Sequence, residues 1–286
     1  MAAKYTWEQR IERAEELSQS LPHVREVLAF YTEVLKWQRD LAKRITAASA
    51  NQSLTGYFER DHSIFLNTFD SLLEIVRRKG SIELAAQVEK LDSARNGRKA
   101  LLAEYWNGEL DPEQGFFARA CLQPYLERLA DTQTPPADSK LRGALTKEIE
   151  ELDIVHPRRI CPFCGRQPQL TALTNETDIS DLSGGSGEGG RRFLICGACL
   201  TSWPFQRLAC VNCLEENPYK LSYYRAEAMP EVRVECCDTC RRYIKTIDLT
   251  RNNRCVPTVD ELAAIPLDLW AREQKYLKIQ PNLAGI

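Results

Sequence analysis

The chain has 286 residues, 43% hydrophobic and 27% charged, with a formal net charge of −2. That is an ordinary globular balance over a length that can bury the core of one large domain or two smaller ones. The near-neutral charge speaks against a basic surface for nucleic acid or anionic membrane. The absence of a signal-peptide pattern or a long uncharged apolar run predicts a cytoplasmic protein without a membrane span.

The first half reads as helical and is nearly free of cysteine. Thr6 and Gln9 form a capping-box pattern, and Trp7, Ile11, Ala14, Leu17 and Leu21 keep one apolar face before Pro22 closes the segment. A longer helix is predicted over Val24–Ala47, and another over Ile64–Arg78 with Gly80 at its C-cap. Shorter helices follow over Ser81–Leu91, Arg98–Trp106 and Asp111–Ala130. In the last, Asp111 and Pro112 supply the start and Pro124 predicts a kink or an early end. The 131–139 stretch is a loop by composition, with one more helical piece over Leu141–Leu152.

Four Cys-x-x-Cys pairs then follow one another: Cys161/Cys164, Cys196/Cys199, Cys210/Cys213 and Cys237/Cys240. Each such turn sets two thiolates on one tight knuckle, and two knuckles brought together make a tetrahedral four-sulfur cage. In reducing cytosol such pairs read as metal ligands rather than disulfides. The segment is also duplicated. Each half runs knuckle, strand, turn, strand, knuckle, strand, which is the order of a rubredoxin-like or zinc-ribbon module. The repeat therefore pairs Cys161, Cys164, Cys196 and Cys199 in site 1, and Cys210, Cys213, Cys237 and Cys240 in site 2. An interleaved, cross-braced pairing is the alternative, and thiolate softness does not choose between iron and zinc.

The predicted fold class is α+β: an all-α helical domain over 1–155, rubredoxin-like modules over 156–206 and 207–254, and a C-terminal helix and tail over 255–286. His156 precedes the first knuckle, but four thiolates already close that site. Cys121 is expected to be a small buried hydrophobe, Cys236 a neighbour of the knuckle rather than a ligand, and Cys255 incidental. Trp203, Phe205, Tyr223, Tyr224 and Tyr243 could form a stacking platform, but small ribbons need such side chains to pack around their cages. The arginine pairs at 191–192 and 241–242 read as solvated strand ends, and the glycine-rich 183–190 stretch as a hairpin tip, since it lacks a phosphate-loop ending. No Ser-His-Asp set, carboxylate pair or nucleotide loop is visible, so no enzyme activity is expected.

The motifs CPFCGRQP, RRFLICGACLTSWPFQRLACVNC and the segment from Glu235 to Leu249 resemble the formate dehydrogenase accessory proteins of the E type. Pro266–Arg272 and the Gln280–Leu283 tail resemble that family's C-terminal stretch. The resemblance implies that the eight paired cysteines bind metal in two rubredoxin-like sites, and that the metal can be iron. It implies a role in biogenesis of respiratory, molybdenum-containing formate dehydrogenases, through contact with their catalytic subunit, and no dehydrogenase activity of its own. Cys236 stands where the family usually has a small residue, and Asp238 where glycine is common. The rival readings are a rubredoxin-type electron carrier and a nucleic-acid-binding double zinc ribbon.

Overall fold

In a computed structural model, residues 4–51, 53–93, 97–110, 115–144, 159–175 and 190–285 are described. Helix α1 (Trp7–Ser20) starts at Thr6, whose side chain accepts from the Gln9 amide at 3.2 Å while the Gln9 side chain accepts from the Thr6 amide at 2.9 Å. Two of the orphan donors of the first turn are thereby satisfied. Helix α2 (Arg25–Asn51) outruns its predicted end, continuing through the small polar residues after Ala47.

A short α3 (Phe58–Asp61) comes first, and the predicted helix over Ile64–Arg78 is split into α4 (Ser63–Leu66) and α5 (Phe69–Lys79). The break falls where Thr68 Oγ1 donates to Phe65 O at 2.8 Å and Ser71 Oγ to Thr68 O at 2.6 Å. Hydroxyls that satisfy nearby carbonyls compete with the helical ladder. Gly80 caps α5 in an extended rather than left-handed conformation (φ −75°), and an added Cβ would meet Val76 O at 2.6 Å. Crowding, not positive φ, selects that glycine. Helices α6 (Ile82–Ser93) and α7 (Gly97–Asn107) follow.

Helix α8 (Phe116–Asp131) continues past Pro124, so the early end expected there does not occur. Proline has no amide to offer the carbonyl four residues back. That carbonyl, Ala120 O, instead accepts from Gln38 Nε2 of α2 at 2.9 Å. The start of the predicted 111–130 helix and most of the Leu141–Leu152 piece lie outside the described residues, as do His156, the expected domain boundary after residue 155 and most of the glycine-rich stretch.

Among the described residues the second half forms one mixed seven-stranded sheet. Its strands are β1 (Pro168–Thr174), β2 (Arg191–Cys196), β3 (Ser202–Pro204), β4 (Leu221–Ala226), β5 (Met229–Cys237), β6 (Arg242–Asp248) and β7 (Leu277–Lys278). The order is β3-β2-β1-β6-β5-β4, with β7 also on β6. Each duplicated half is an antiparallel trio, and the first strand of one trio pairs in parallel with the last of the other, Leu170–Leu173 against Lys245–Asp248. The two modules are thus joined edge to edge in a single sheet. Helices α9 (Pro257–Ala263) and α10 (Ile265–Glu273) then return across it.

Helices and sheet share one continuous apolar core, from Leu28 and Phe65 through Leu170 and Ala172 to Val259. Two buried ion pairs tie α1 to distant chain: Arg10 grips Glu127 of α8 with contacts of 2.9 and 2.8 Å, and Arg13 holds Asp260 of α9 at 2.6 Å. A third polar centre lies in the core. Lys245 and Lys278 face Glu261 and Asp268, with Lys245–Glu261 at 2.9 Å and Lys278–Asp268 at 2.9 Å, and Tyr243 donates its hydroxyl to Asp268. Two cations against two anions leave no net charge in the interior, the condition under which buried ions are tolerated.

Candidate metal sites

The repeat pairing is the one the chain adopts geometrically. The ligand atoms of Cys161, Cys164, Cys196 and Cys199 lie within 4.8 Å of one another, as do those of Cys210, Cys213, Cys237 and Cys240. In the first array the sulfurs of Cys161 and Cys199 stand 3.6 Å apart, and those of Cys164 and Cys196 3.5 Å. In the second, Cys210–Cys240 is 3.7 Å and Cys213–Cys237 is 3.6 Å. Four sulfurs tetrahedrally placed about 2.3 Å from a metal ion would be separated by about 3.8 Å, so both arrays have the dimensions of a filled cage.

Charge makes the same point. Burial opposes ionisation of the first array, yet hydrogen bonds from Cys161, Cys164 and Cys199 hold the Cys196 thiol well below its usual range. Cys161 and Cys199 are pushed up, first by burial and then by their neighbours. Sulfurs this close cannot all ionise unaided, whereas a cation at the centre lets all four become thiolates. Hard-oxygen metals are a poor match for this donor set, and Fe or Zn a good one.

Each knuckle is built the same way. The residue after its second cysteine turns left-handed: Gly165 (φ 77°), Leu200 (54°), Leu214 (62°) and Arg241 (55°). In three of the knuckles its amide returns to the first cysteine's carbonyl: Gly165 N to Cys161 O and Leu214 N to Cys210 O at 3.0 Å, and Arg241 N to Cys237 O at 2.9 Å. The same fold of backbone aims amides at sulfur, with Ala198 N to Cys196 Sγ and Asn212 N to Cys210 Sγ at 3.4 Å. A left-handed non-glycine residue costs roughly 1–2 kcal/mol, so three of the four knuckles carry strain that the surrounding fold offsets.

The arrays differ in their surroundings. All four sulfur residues of the first are buried, at 1% exposure or less. The helical half covers them. Arg119 of α8 donates to Gly197 O, inside the second knuckle, at 3.0 Å, and also to Gln169 and to Pro281 O. Arg142 donates to Pro162 O inside the first knuckle at 2.7 Å, and Arg166 lies over the Tyr105 ring at 4.4 Å while donating to Tyr105 O. In the second array Cys213 is exposed and Cys240 partly so. Its supports come from the ribbon itself and the tail: Thr239 Oγ1 donates to Glu215 Oε2 at 2.6 Å, and Arg241 stacks on Tyr276 at 3.8 Å.

Several expectations for single residues change. Arg192 is buried, donates to Gln206 O and Ala209 O and pairs with Glu235 at 2.5 Å, so it is a structural anchor rather than a solvated strand end. Arg241 is engaged as well, with Asp238, Gln274 O and Tyr276. Trp203, Phe205 and Tyr243 pack inward as predicted, whereas Tyr223 and Tyr224 of edge strand β4 stand exposed. Cys236 is buried beside the second array but takes no part in it, and Cys121 is buried in α8. Cys255 is not incidental: it is fully buried in a group with Glu231 and Asp260, under Arg13 Nη2 at 3.8 Å. Arg13 already supplies the positive charge there. Arg119, Arg142 and Arg166 had no signal in the sequence, since each makes its contact across a long sequence separation.

The chain is an α+β protein with two four-cysteine arrays, each of two knuckles, joined through one sheet and clad by helices. Residues 208–284 match the family described as FdhE, C-terminal domain. Protein FdhE homolog of Aquifex aeolicus is 28% identical over 287 residues, covering 94% of this chain and 92% of that one. Protein FdhE homolog of Pseudomonas aeruginosa is 26% identical over 224 residues, covering 77% of this chain and 66% of that one. The crystal structure of the FdhE protein from Pseudomonas aeruginosa matches with a TM-score of 0.64 at 22% identity, over 97% of this chain and 94% of that one. By sequence and by fold the chain is similar to FdhE proteins. Among the described residues no helix is long and apolar enough to cross a membrane.

Proposed function

We propose that this chain is a non-enzymatic, cytoplasmic accessory protein for the biogenesis of respiratory formate dehydrogenase, binding its catalytic subunit. Its eight paired cysteines hold two metal ions, iron by preference. The observation that carries the reading is the pair of cage-sized sulfur arrays inside an FdhE-like fold. What the metal supplies is folding free energy for ribbons that are otherwise short strands and turns. The chain's own residues supply the rest: amides aimed at sulfur, arginines that fix the knuckles, and a helical wall.

The client's place is a cavity of about 480 Å³ between the two halves, with Tyr5, Arg10 and Ala130 on the helical side and Leu200, Thr201 and Ser202 on the ribbon side. Ser202 begins β3, a strand at the sheet's end, so an extended client segment finds both backbone groups and an apolar wall there. Co-expression with a tagged formate dehydrogenase catalytic subunit tests this. A complex that co-purifies with the wild type and is lost with Ser202→Arg, at unchanged metal content, is expected. A metal-loaded wild type that captures no catalytic subunit overturns the function.

A further inference from the structure

The two arrays are built from the same knuckle but sit in different solvent environments. Cys161, Cys164, Cys196 and Cys199 are 0–1% exposed. Each knuckle of this array has a backbone carbonyl held by an arginine, Pro162 O by Arg142 and Gly197 O by Arg119. Arg119 is itself 5% exposed. An added Cβ at Gly165 would meet Leu141 O at 2.7 Å, so the helical segment lies directly on the first knuckle. The 480 Å³ cavity reaches this array at Cys199, beside Leu200 and Thr201, but Cys199 is only 1% exposed and its thiol donates to Thr201 Oγ1 at 3.1 Å.

Among the described residues the second array is less covered. Cys213 is exposed and Cys240 partly exposed, so each of its two knuckles has one cysteine open to solvent. Its neighbours include accessible apolar side chains beside the charged Arg207, Arg233 and Glu235. Leu208 (72% exposed) and Tyr223 (59%) line a cavity of about 90 Å³ together with Cys210 and Cys237. The Asn212 carbonyl between Cys210 and Cys213 is held by Arg159 at 2.7 Å, in an exposed contact rather than a buried one.

Ligand exchange at a four-thiolate metal centre proceeds by approach of a donor atom to the metal past one sulfur. Burial and outer hydrogen bonds therefore set its rate as well as the site's affinity. We propose that the second array is a metal-exchange site, while the first is a permanent staple that locks the ribbons to the helices. This rests on the reading of both arrays as metal sites. Transfer would need no oxidant or reductant: a sulfur or nitrogen donor of the acceptor would replace Cys213 or Cys240 on the cation, whose charge would not change, and the freed thiolates would take protons from water. Two sites of equal exposure would have no reason to carry separate bracing. Here every arginine that reaches a knuckle carbonyl from the helical half goes to the first array among the described residues.

The test uses the full-length chain loaded with zinc and mixed with excess 4-(2-pyridylazo)resorcinol, following coloured complex with time. One equivalent is expected to leave at least roughly tenfold faster than the other. Cys213→Ser should abolish the fast equivalent and leave the slow one. Arg142→Met, which uncovers Pro162 O without touching a sulfur, should speed the slow phase and leave the fast one unchanged. Two equivalents leaving in a single phase, or Cys213→Ser removing the slow phase, overturns the assignment. A folded chain that binds no zinc overturns the metal reading itself, and the assignment with it.

Discussion

Arg119 Nε donates to the carbonyl of Gly197 at 3.0 Å, placing a guanidinium from the helical half against the backbone between two cysteines of the ribbon half. The same side chain reaches Pro281 O of the tail at 2.6 Å and the Gln169 side chain of β1. One buried group thus joins α8, a knuckle, the central sheet and the C-terminal segment. It also continues into the ionic core, because Gln169 Nε2 donates to Glu261 at 3.0 Å.

Arg119→Met is expected to be strongly destabilising, by roughly 3 kcal/mol or more, since it leaves buried carbonyls without donors. Arg119→Lys should recover little, because a single ammonium cannot reproduce a planar fork that meets three acceptors. Urea midpoints of the metal-loaded proteins measure both. A midpoint for Arg119→Met within error of the wild type would mean that the helices do not brace the knuckle.

The left-handed knuckle residues separate strain from crowding. Gly165→Ala forces a Cβ onto φ 77° and within 2.7 Å of Leu141 O, so a loss of roughly 2–3 kcal/mol is expected. Leu214→Gly relieves a left-handed leucine but adds unfolded-state entropy, and the two effects of roughly 1 kcal/mol each should nearly cancel. Thermal unfolding of the two variants side by side decides this. Equal losses would show that the turn conformation is not what holds these positions.

Glu261 gives the pH dependence a sign. Burial opposes its charge, but Lys245 and Lys278 outweigh burial and hold its pKa down to about 2. A carboxylate depressed in the folded state contributes stability that is full above about pH 4.5 and is lost as pH falls toward 2. Glu261→Gln should therefore lower stability by roughly 3 kcal/mol at neutral pH, with the deficit shrinking steadily below pH 4.5. Both proteins carry the same cysteines, so acid effects on the metal cages cancel in the difference. A deficit that stays constant down to pH 3 would remove the electrostatic account.

The cages were legible in the sequence because their information is local. Two cysteines three positions apart make a knuckle whatever surrounds them, and the duplicated strand pattern told which knuckles face each other. The capping box at Thr6 was local too. What escaped was long-range: that β1 would lie parallel to β6 and fuse both modules, that Arg192 would be buried against Glu235, and that Cys255 would be enclosed with Asp260 and Arg13. The split of the 64–78 helix was missed because hydrophobic spacing runs unbroken across Thr68 and Ser71, while their hydroxyls stop the ladder. The arginines that cover the first array look in sequence like any charged helix face, so the difference between the two cages was invisible there.

Pro124 was expected to kink α8 or end it early, and the reason the helix continues past it lies on another helix. Gln38 of α2 occupies the acceptor that proline leaves vacant, donating to Ala120 O at 2.9 Å from a side chain with no exposure. Gln38→Leu should then cost roughly 1–3 kcal/mol, the penalty for an orphaned buried carbonyl. In a Pro124→Ala background the residue at 124 regains an amide that can return to Ala120 O. The same Gln38→Leu change should there cost at least about 1 kcal/mol less, a coupling that a double-mutant cycle reads directly. If the two substitutions are additive within about 0.3 kcal/mol, Gln38 stabilises the helix pair by packing alone, and the proline owes its place in α8 to something other than the amide on α2.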